Sequence, residues 1–196
     1  KLLPRPISIC EADKENGRLR IVYRIAGAGT KEFSAYKEGD TLDIMGPLGN
    51  GFPLKKKKAF LIGGGIGIPP MLELAKNLDC EKTAVIGYRD KETFLADELR
   101  KYADVVIATE DGSVGTKGNV IDAIRAEKLT ADIIYACGPT PMLKALKTYA
   151  MENGIECYIS LEEKMACGIG ACLGCVCHSK DIDEHSNVRN KRICKD

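Results

Sequence analysis

The chain has 196 residues, 44% of them hydrophobic, so it can bury a real core and fits one larger or two small domains. Lys and Arg total 29 against 28 Asp and Glu, and the formal charge of +1 gives no electrostatic case for nucleic acid or an anionic membrane surface. No apolar run reaches the roughly 20 residues of a membrane helix and no signal-like segment opens the sequence, so a cytoplasmic protein is expected.

Residues 1–54 read as strands and turns. The stretches "RPISIC", "GRLRIVYRIAG" and "DTLDIMGPLG" carry β-branched and apolar residues between Gly, Asn and Asp punctuation, the mark of an antiparallel β region. The region is thin for a closed barrel, and it opens at Lys1 rather than Met. We therefore expect the later part of a barrel whose first strands precede it. The four lysines 55–58 mark a boundary and read as a solvated linker in preference to a phosphate-binding run.

Over residues 55–161 the rhythm changes. "AFLIGG", "KTAVIGY", "DVVIATE", "ADIIYACG" and "IECYISL" look like buried parallel strands. "PPMLELAKNL", "ETFLADELRKY", "NVIDAIRAEK" and "TPMLKALKTYAMENG" look like the helices that cross between them. The alternation predicts a five-stranded, parallel, doubly wound α/β sheet.

Two turns in this region have the composition of nucleotide sites. In "FLIGGGIGIPPM", Gly63, Gly64, Gly65 and Gly67 follow a strand and precede a helix, where a bare backbone and a helix N-terminus can receive phosphate. The spacing differs from the G-x-G-x-x-G fingerprint. "YACGPTPML" repeats the pattern with Cys137, Gly138 and Pro139, and both turns fall at the carboxyl ends of strands, where open α/β sheets bind ligands. Cys137 reads equally as a buried thiol and as a functional one.

The tail, 162–196, is too short and glycine-rich to make a core and calls for a metal centre to organise it. Of nine cysteines, Cys167, Cys172, Cys175, Cys177 and Cys194 lie here, and the first three are spaced C-x4-C-x2-C, the plant-type spacing for a 2Fe-2S cluster. Gly168, Gly170, Ala171 and Gly174 between them let the backbone wrap closely and point N–H groups at sulfur. For the fourth ligand Cys194, beyond a polar loop that can fold back, is preferred to Cys177, which follows Cys175 too closely. A structural zinc fits the spacing less well. His178 and His185 lack the C-x-H spacing of a Rieske centre and read as surface residues.

Together "RPIS", "GGGIGIPPM", "CGP-x-PM" and the cysteine motif resemble the ferredoxin-NADP reductase superfamily. Within it they resemble the electron-transfer subunits of bacterial dihydroorotate dehydrogenase, over essentially the whole chain. The resemblance implies a flavin-binding barrel over 1–54, an NAD domain over 55–161 and a 2Fe-2S subdomain over 162–196. It implies FAD on Arg5, Pro6, Ile7 and Ser8, and on Val22, Tyr23, Arg24, Gly29 and Thr30, with Arg5 at the pyrophosphate and Ser8 near the flavin ring. It also implies a partner, an FMN-containing catalytic subunit in a heterotetramer, with electrons passing from FMN through the cluster and FAD to NAD+ in pyrimidine biosynthesis. Ile169, Leu173 and Met165 around the cluster loop either meet that partner or pack inward. Arg89 and Asp90 point in opposite directions on NADP against NAD, and the resemblance favours NAD. The rival readings are a reductase subunit of the sulfide dehydrogenase or ferredoxin-NADP transhydrogenase type, and a zinc-stabilised nucleotide-sensing module.

Overall fold

A computed structural model describes residues 3–183 and 187–196, so His185 lies outside the described residues. In chain order the elements are β1 (Ile9–Asp13), β2 (Arg18–Ile21), α1 (Ala28–Phe33), β3 (Ala59–Gly64), α2 (Ile68–Asn77), β4 (Lys82–Tyr88), α3 (Ala96–Leu99), β5 (Asp104–Thr109), β6 (Thr116–Lys117), α4 (Val120–Ala126), β7 (Ile133–Cys137), α5 (Thr140–Asn153), β8 (Glu156–Ser160), β9 (Val176–His178) and β10 (Asn190–Arg192). They form two compact units, one of residues 8–22 and 52–160 and one of residues 3–7, 23–51 and 161–196.

The α/β unit is built on a parallel sheet in the order β6-β5-β4-β3-β7-β8. Every residue of β3 is buried, and its neighbours in sequence alternate between two layers. Leu61, with Ile86, Tyr135, Met71 and Leu72, fills one layer. Phe60 and Ile62, with Val85, Ile134, Ile124 and Leu146, fill the other. A pleated strand sends successive side chains to opposite faces, so covering both faces requires the continuous apolar run that β3 has. From β3 the chain winds out through β4, β5 and β6, then returns to the other side of β3 for β7 and β8. The direction of winding therefore reverses between β3 and β7.

Local signals fix the helix ends. Pro69 and Pro70 sit in the first turn of α2, where a missing N–H costs little. Asn119 accepts from Ile121 N at 2.8 Å while Asp122 Oδ2 accepts from Asn119 N at 2.9 Å, a reciprocal cap on α4. Gly154, at φ 64°, closes α5 in the left-handed region.

The sheet has six strands where five were expected. Thr116–Lys117 pairs with Ala108–Thr109 at the edge and is too short to give an apolar-run signal. The helix expected over 92–102 shrinks to Ala96–Leu99, because Leu95 takes φ 63°, which a right-handed helix cannot pass through. The lysine run is ion-paired: Lys55 and Lys57 to Glu156, Lys56 to Asp79 and Lys58 to Glu81. Lys55 Nζ also sits 5.1 Å from the centre of the Tyr158 ring, and Tyr135 Oη donates to Pro53 O at 2.7 Å. This segment straps the sheet.

The N-terminal region departs most from expectation. β1 and β2 pair as a hairpin that packs with the α/β unit: Cys10 is fully buried in its core, Ala12 N donates to Glu73 Oε2 at 3.1 Å, and Glu11 pairs with Lys76. Residues 23–51 therefore group with the tail, and the boundary at residue 54 cuts across both units. Residues 28–33 are helical. Residues 40–49 form no strand, since no described strand pairs with them and an unpaired strand has no ladder to hold it. No described helix is long and apolar enough to cross a membrane.

Candidate functional site

In the α/β unit the two glycine turns meet at the carboxyl ends of β3 and β7, at the reversal of winding. Gly63 stands opposite Cys137 in the ladder. A Cβ on Gly67 would lie 2.1 Å from Cys137 O and 2.6 Å from Gly138 N, so only a bare backbone fits. A Cβ on Gly138 would come within 3.1 Å of the backbone of Gly64. The turns are thus one continuous backbone surface, with α2 and α5 beginning just beyond it at Ile68 and Thr140. Each helix start carries partial positive charge, which favours an anion at this place. Gly65 is exposed on the rim, and Cys137 is buried, 1% exposed, at the end of its strand.

The adjoining strand ends add groups that the sequence reading missed. Glu110 N donates to Tyr88 O and Asp111 N to Arg89 O, both at 3.2 Å. The β4–β5 ladder is thereby prolonged, and two further carboxylates stand beside Arg89 and Asp90. The buried Thr109 hydroxyl donates to Val114 O at 2.8 Å and accepts from Val114 N at 3.2 Å, which fixes the loop that follows. The stretch "EDGSVGTKG" was the available signal, a glycine-punctuated loop after a strand.

Of the nine residues assigned to FAD, Ser8 and Val22 fall in the α/β unit and the other seven in the second unit. There the Arg5 guanidinium lies on the backbone of buried Gly29: a Cβ at that position would meet Arg5 Nε at 2.7 Å. Thr30 Oγ1 accepts from Ala26 N at 2.8 Å and Gly27 N at 3.1 Å, ordering the turn that leads into α1. Arg5 Nη1 is anchored on Leu3 O at 2.6 Å, so a cation is held over Gly29.

The cysteine loop lies in the same unit. Gly168 and Gly170 adopt φ 71° and 77°, conformations open to glycine, and bend the chain around its own sulfurs. Cys172 N points at Cys167 Sγ at 3.3 Å and Gly170 N at Cys194 Sγ at 3.2 Å. The N–H groups of Cys172 and Ile169, then the Cys172 thiol, hold Cys167 at about 6, well below an ordinary thiol. Burial, then a hydrogen bond with the Cys175 thiol, pushes Cys194 up. The backbone brings Cys172 to Cys167 through its N–H, and Cys175 to the neighbourhood of Cys194 through the bond from Ile193 N to Cys175 O. Among the described residues no three His, Cys, Asp or Glu side chains close around a single ion.

The second pair is made by the β9–β10 hairpin. Cys175 precedes β9 and Cys194 closely follows β10, and Ile193 N donates to Cys175 O at 3.1 Å, so the open end of the hairpin sets the two side by side. Cys177 is committed to the ladder opposite Lys191. Ile169 and Leu173 are 56% and 72% exposed, so they do not pack inward, while Met165 is half-buried.

The chain thus joins a switch-point crevice of a doubly wound sheet, the place where such sheets take nucleotides, to a cysteine-rich loop of iron-sulfur spacing. Residues 162–196 match the iron-sulfur cluster binding domain of dihydroorotate dehydrogenase B. Proteins named dihydroorotate dehydrogenase B (NAD(+)), electron transfer subunit, are 45% identical in Caldanaerobacter subterraneus, over 99% of this chain and 77% of that one, and 47% identical in Streptococcus mutans, over 100% and 78%. The chain belongs to the family of dihydroorotate dehydrogenase B electron transfer subunits. In structure it is similar to an NADH-dependent reduced ferredoxin-NADP oxidoreductase, with TM-score 0.86 and 33% identity over 98% of this chain and 70% of that one. A flavohemoglobin from Malassezia yamatoensis shares the fold at TM-score 0.62 and 23% identity, over 76% of this chain and 45% of that one.

Proposed function

We propose that the chain carries electrons from the FMN of a dihydroorotate dehydrogenase catalytic subunit, through a 2Fe-2S cluster and FAD, to NAD+. The observation that carries the reading is the pairing of the thiols. A 2Fe-2S cluster takes two thiolates on each iron, and the backbone sets Cys167 beside Cys172 in the glycine loop and Cys175 across from Ile193, next to Cys194, at the open end of the β9–β10 hairpin. A single zinc would need all its ligands around one point, so the zinc-module reading is the weaker.

The cradle of Gly63, Gly64, Gly65, Gly67, Gly138 and Pro139 suits the pyrophosphate of NAD, because Gly67 and Gly138 pack backbone on backbone while exposed Gly65, with nothing within 4 Å of where a Cβ would stand, leaves phosphate room to approach. Cys137 would close the floor at the nicotinamide end. Charges of both signs, Arg89, Asp90, Lys91, Glu110, Asp111 and Lys117, gather at the strand ends where an adenosine ribose is read, so NAD over its 2'-phosphate rests on the family reading. Arg5 against Gly29 and Thr30 suits the FAD pyrophosphate, since a guanidinium pairs with phosphate as a fork. Pro6, Ile7, Ser8, Val22, Tyr23 and Arg24 would complete the flavin contacts. When bound, FAD would accept electrons singly from the cluster and pass a hydride to NAD+, so this chain's residues bind and orient and none need transfer a proton.

The exposed Ile169 and Leu173 beside the small residues Ala166, Ala171 and Gly174 offer a partner an apolar approach to the cluster. A heterotetramer with two catalytic subunits follows from the family reading. The test is reconstitution. The loaded chain alone should oxidise NADH with a dye and leave dihydroorotate untouched, and the FMN subunit should restore transfer from dihydroorotate to NAD+. Turnover of dihydroorotate by the isolated chain would overturn the reading.

A further inference from the structure

Arg192 is not among the candidate cluster ligands, yet its side chain and backbone are bonded on both sides of them. Its Nε and Nη2 each donate to the Asp196 carboxylate at 2.9 Å, its backbone N donates to Asp196 Oδ2 at 2.8 Å, and Nη1 donates to Gly170 O at 3.0 Å. Its side chain is 12% exposed and that of Asp196 is 19% exposed, so solvent competes little for these bonds. Gly170 is also held at its other polar atom, where its N–H points at Cys194 Sγ at 3.2 Å. Its φ of +77° is one that glycine adopts readily, and a Cβ added here would meet Lys195 Cδ at 2.5 Å, so the turn is specific to glycine.

We infer that Arg192 is a positioning residue that aims the Gly170 N–H at the Cys194 sulfur and so raises the reduction potential of the cluster. The inference rests on the 2Fe-2S reading above. A cluster that accepts one electron gains one negative charge on its sulfurs, and N–H donors fixed toward those sulfurs stabilise the reduced form. Arg192 itself acts at one remove: it pins the carbonyl of Gly170, Asp196 pins Arg192, and the geometry of the N–H follows. Two alternatives make different predictions. Were Arg192 only a nearby positive charge, Lys would replace it. Were Asp196 only a nearby negative charge, its neutralisation would raise the potential.

The experiment is a redox titration of the full chain, loaded with cluster, with the EPR spectrum of the reduced state recorded for wild type, Arg192→Lys, Arg192→Gln and Asp196→Asn. Iron and sulfide content is measured first. Arg192→Lys keeps the charge and loses the fork. It should shift the redox equilibrium about tenfold toward the oxidised form, which is about 59 mV for a one-electron couple. Asp196→Asn should move the potential down as well, against the sign of its charge change, and both should alter the EPR g-values. If Arg192→Gln fails to hold the cluster, the other two still decide. An unchanged potential in Arg192→Lys, or a raised one in Asp196→Asn, overturns the inference while leaving the cluster reading intact. A wild-type chain without iron and sulfide overturns both.

Discussion

The α/β unit and the cysteine-bearing unit solve the same problem by opposite means. The first hides a continuous sheet: β3, β4 and β7 are buried along almost their whole length, and apolar layers from α2 on one side and α4 and α5 on the other cover it. Among its described residues the second has neither a wide sheet nor a buried apolar layer of its own. Its order comes from a three-residue hairpin, sulfur-directed N–H groups and Arg192, with exposed Ile169 and Leu173 left over. A region held by directional bonds to a few atoms is specified by those atoms, and a region held by area is specified by a pattern. Changes should therefore act all-or-none in one unit and in graded fashion in the other.

The largest expected effect breaks the first half of that contrast. Cys175→Ser or Cys194→Ser should each empty the chain of iron and sulfide while the far-UV circular dichroism of the α/β unit stays unchanged. Cys177→Ser should keep the full content. Loss in Cys177→Ser with retention in Cys194→Ser would move the fourth ligand. Next, Arg5→Ala should yield protein that keeps its iron and loses most of its FAD on gel filtration, measured by flavin absorbance; a normal flavin content removes Arg5 from the site.

The graded half is sharpened by Gly67→Ala. Its new methyl must displace the Cys137 carbonyl, 2.1 Å away, and forced repacking of this kind costs about 3 kcal/mol. Denaturant midpoints should fall accordingly, with NADH affinity reduced and iron content unaffected.

The smallest effect is electrostatic. Glu156 is held at about 2, against an ordinary 4.5, by hydrogen bonds from Lys55, then Lys57 and Tyr158. A carboxylate depressed in the folded state adds stability that is complete above the ordinary value and lost as the pH falls toward about 2. The stability difference between wild type and Glu156→Gln should therefore be present at pH 6 and shrink toward zero as pH 2 is approached. A difference that grows on acidification would contradict the assignment.

How much of this could be read in advance follows the same division. β3 and β4 fall where the apolar runs placed them, because burial on both faces leaves a continuous signal. The cysteine spacing likewise pointed to its chemistry. What the sequence did not disclose were relations at a distance. The packing of Cys10 against the sheet of another segment, the clasp of Cys175 to Cys194, and the hold of Arg192 on Gly170 depend on residues far apart in the chain, where no local periodicity reports them. Residues 40–49 misled for a related reason: β-type composition makes a strand only where a partner strand is at hand.

The central position of β3 has a consequence for how the protein ages. Its backbone amides are bonded into ladders on both sides and lie beneath two apolar layers. They should therefore exchange with solvent deuterium only as the whole unit unfolds, later than amides beside the exposed Ile169 and Leu173. A protease acting on this chain should accordingly make its first cuts outside β3, and that strand should be among the last segments to be cleaved.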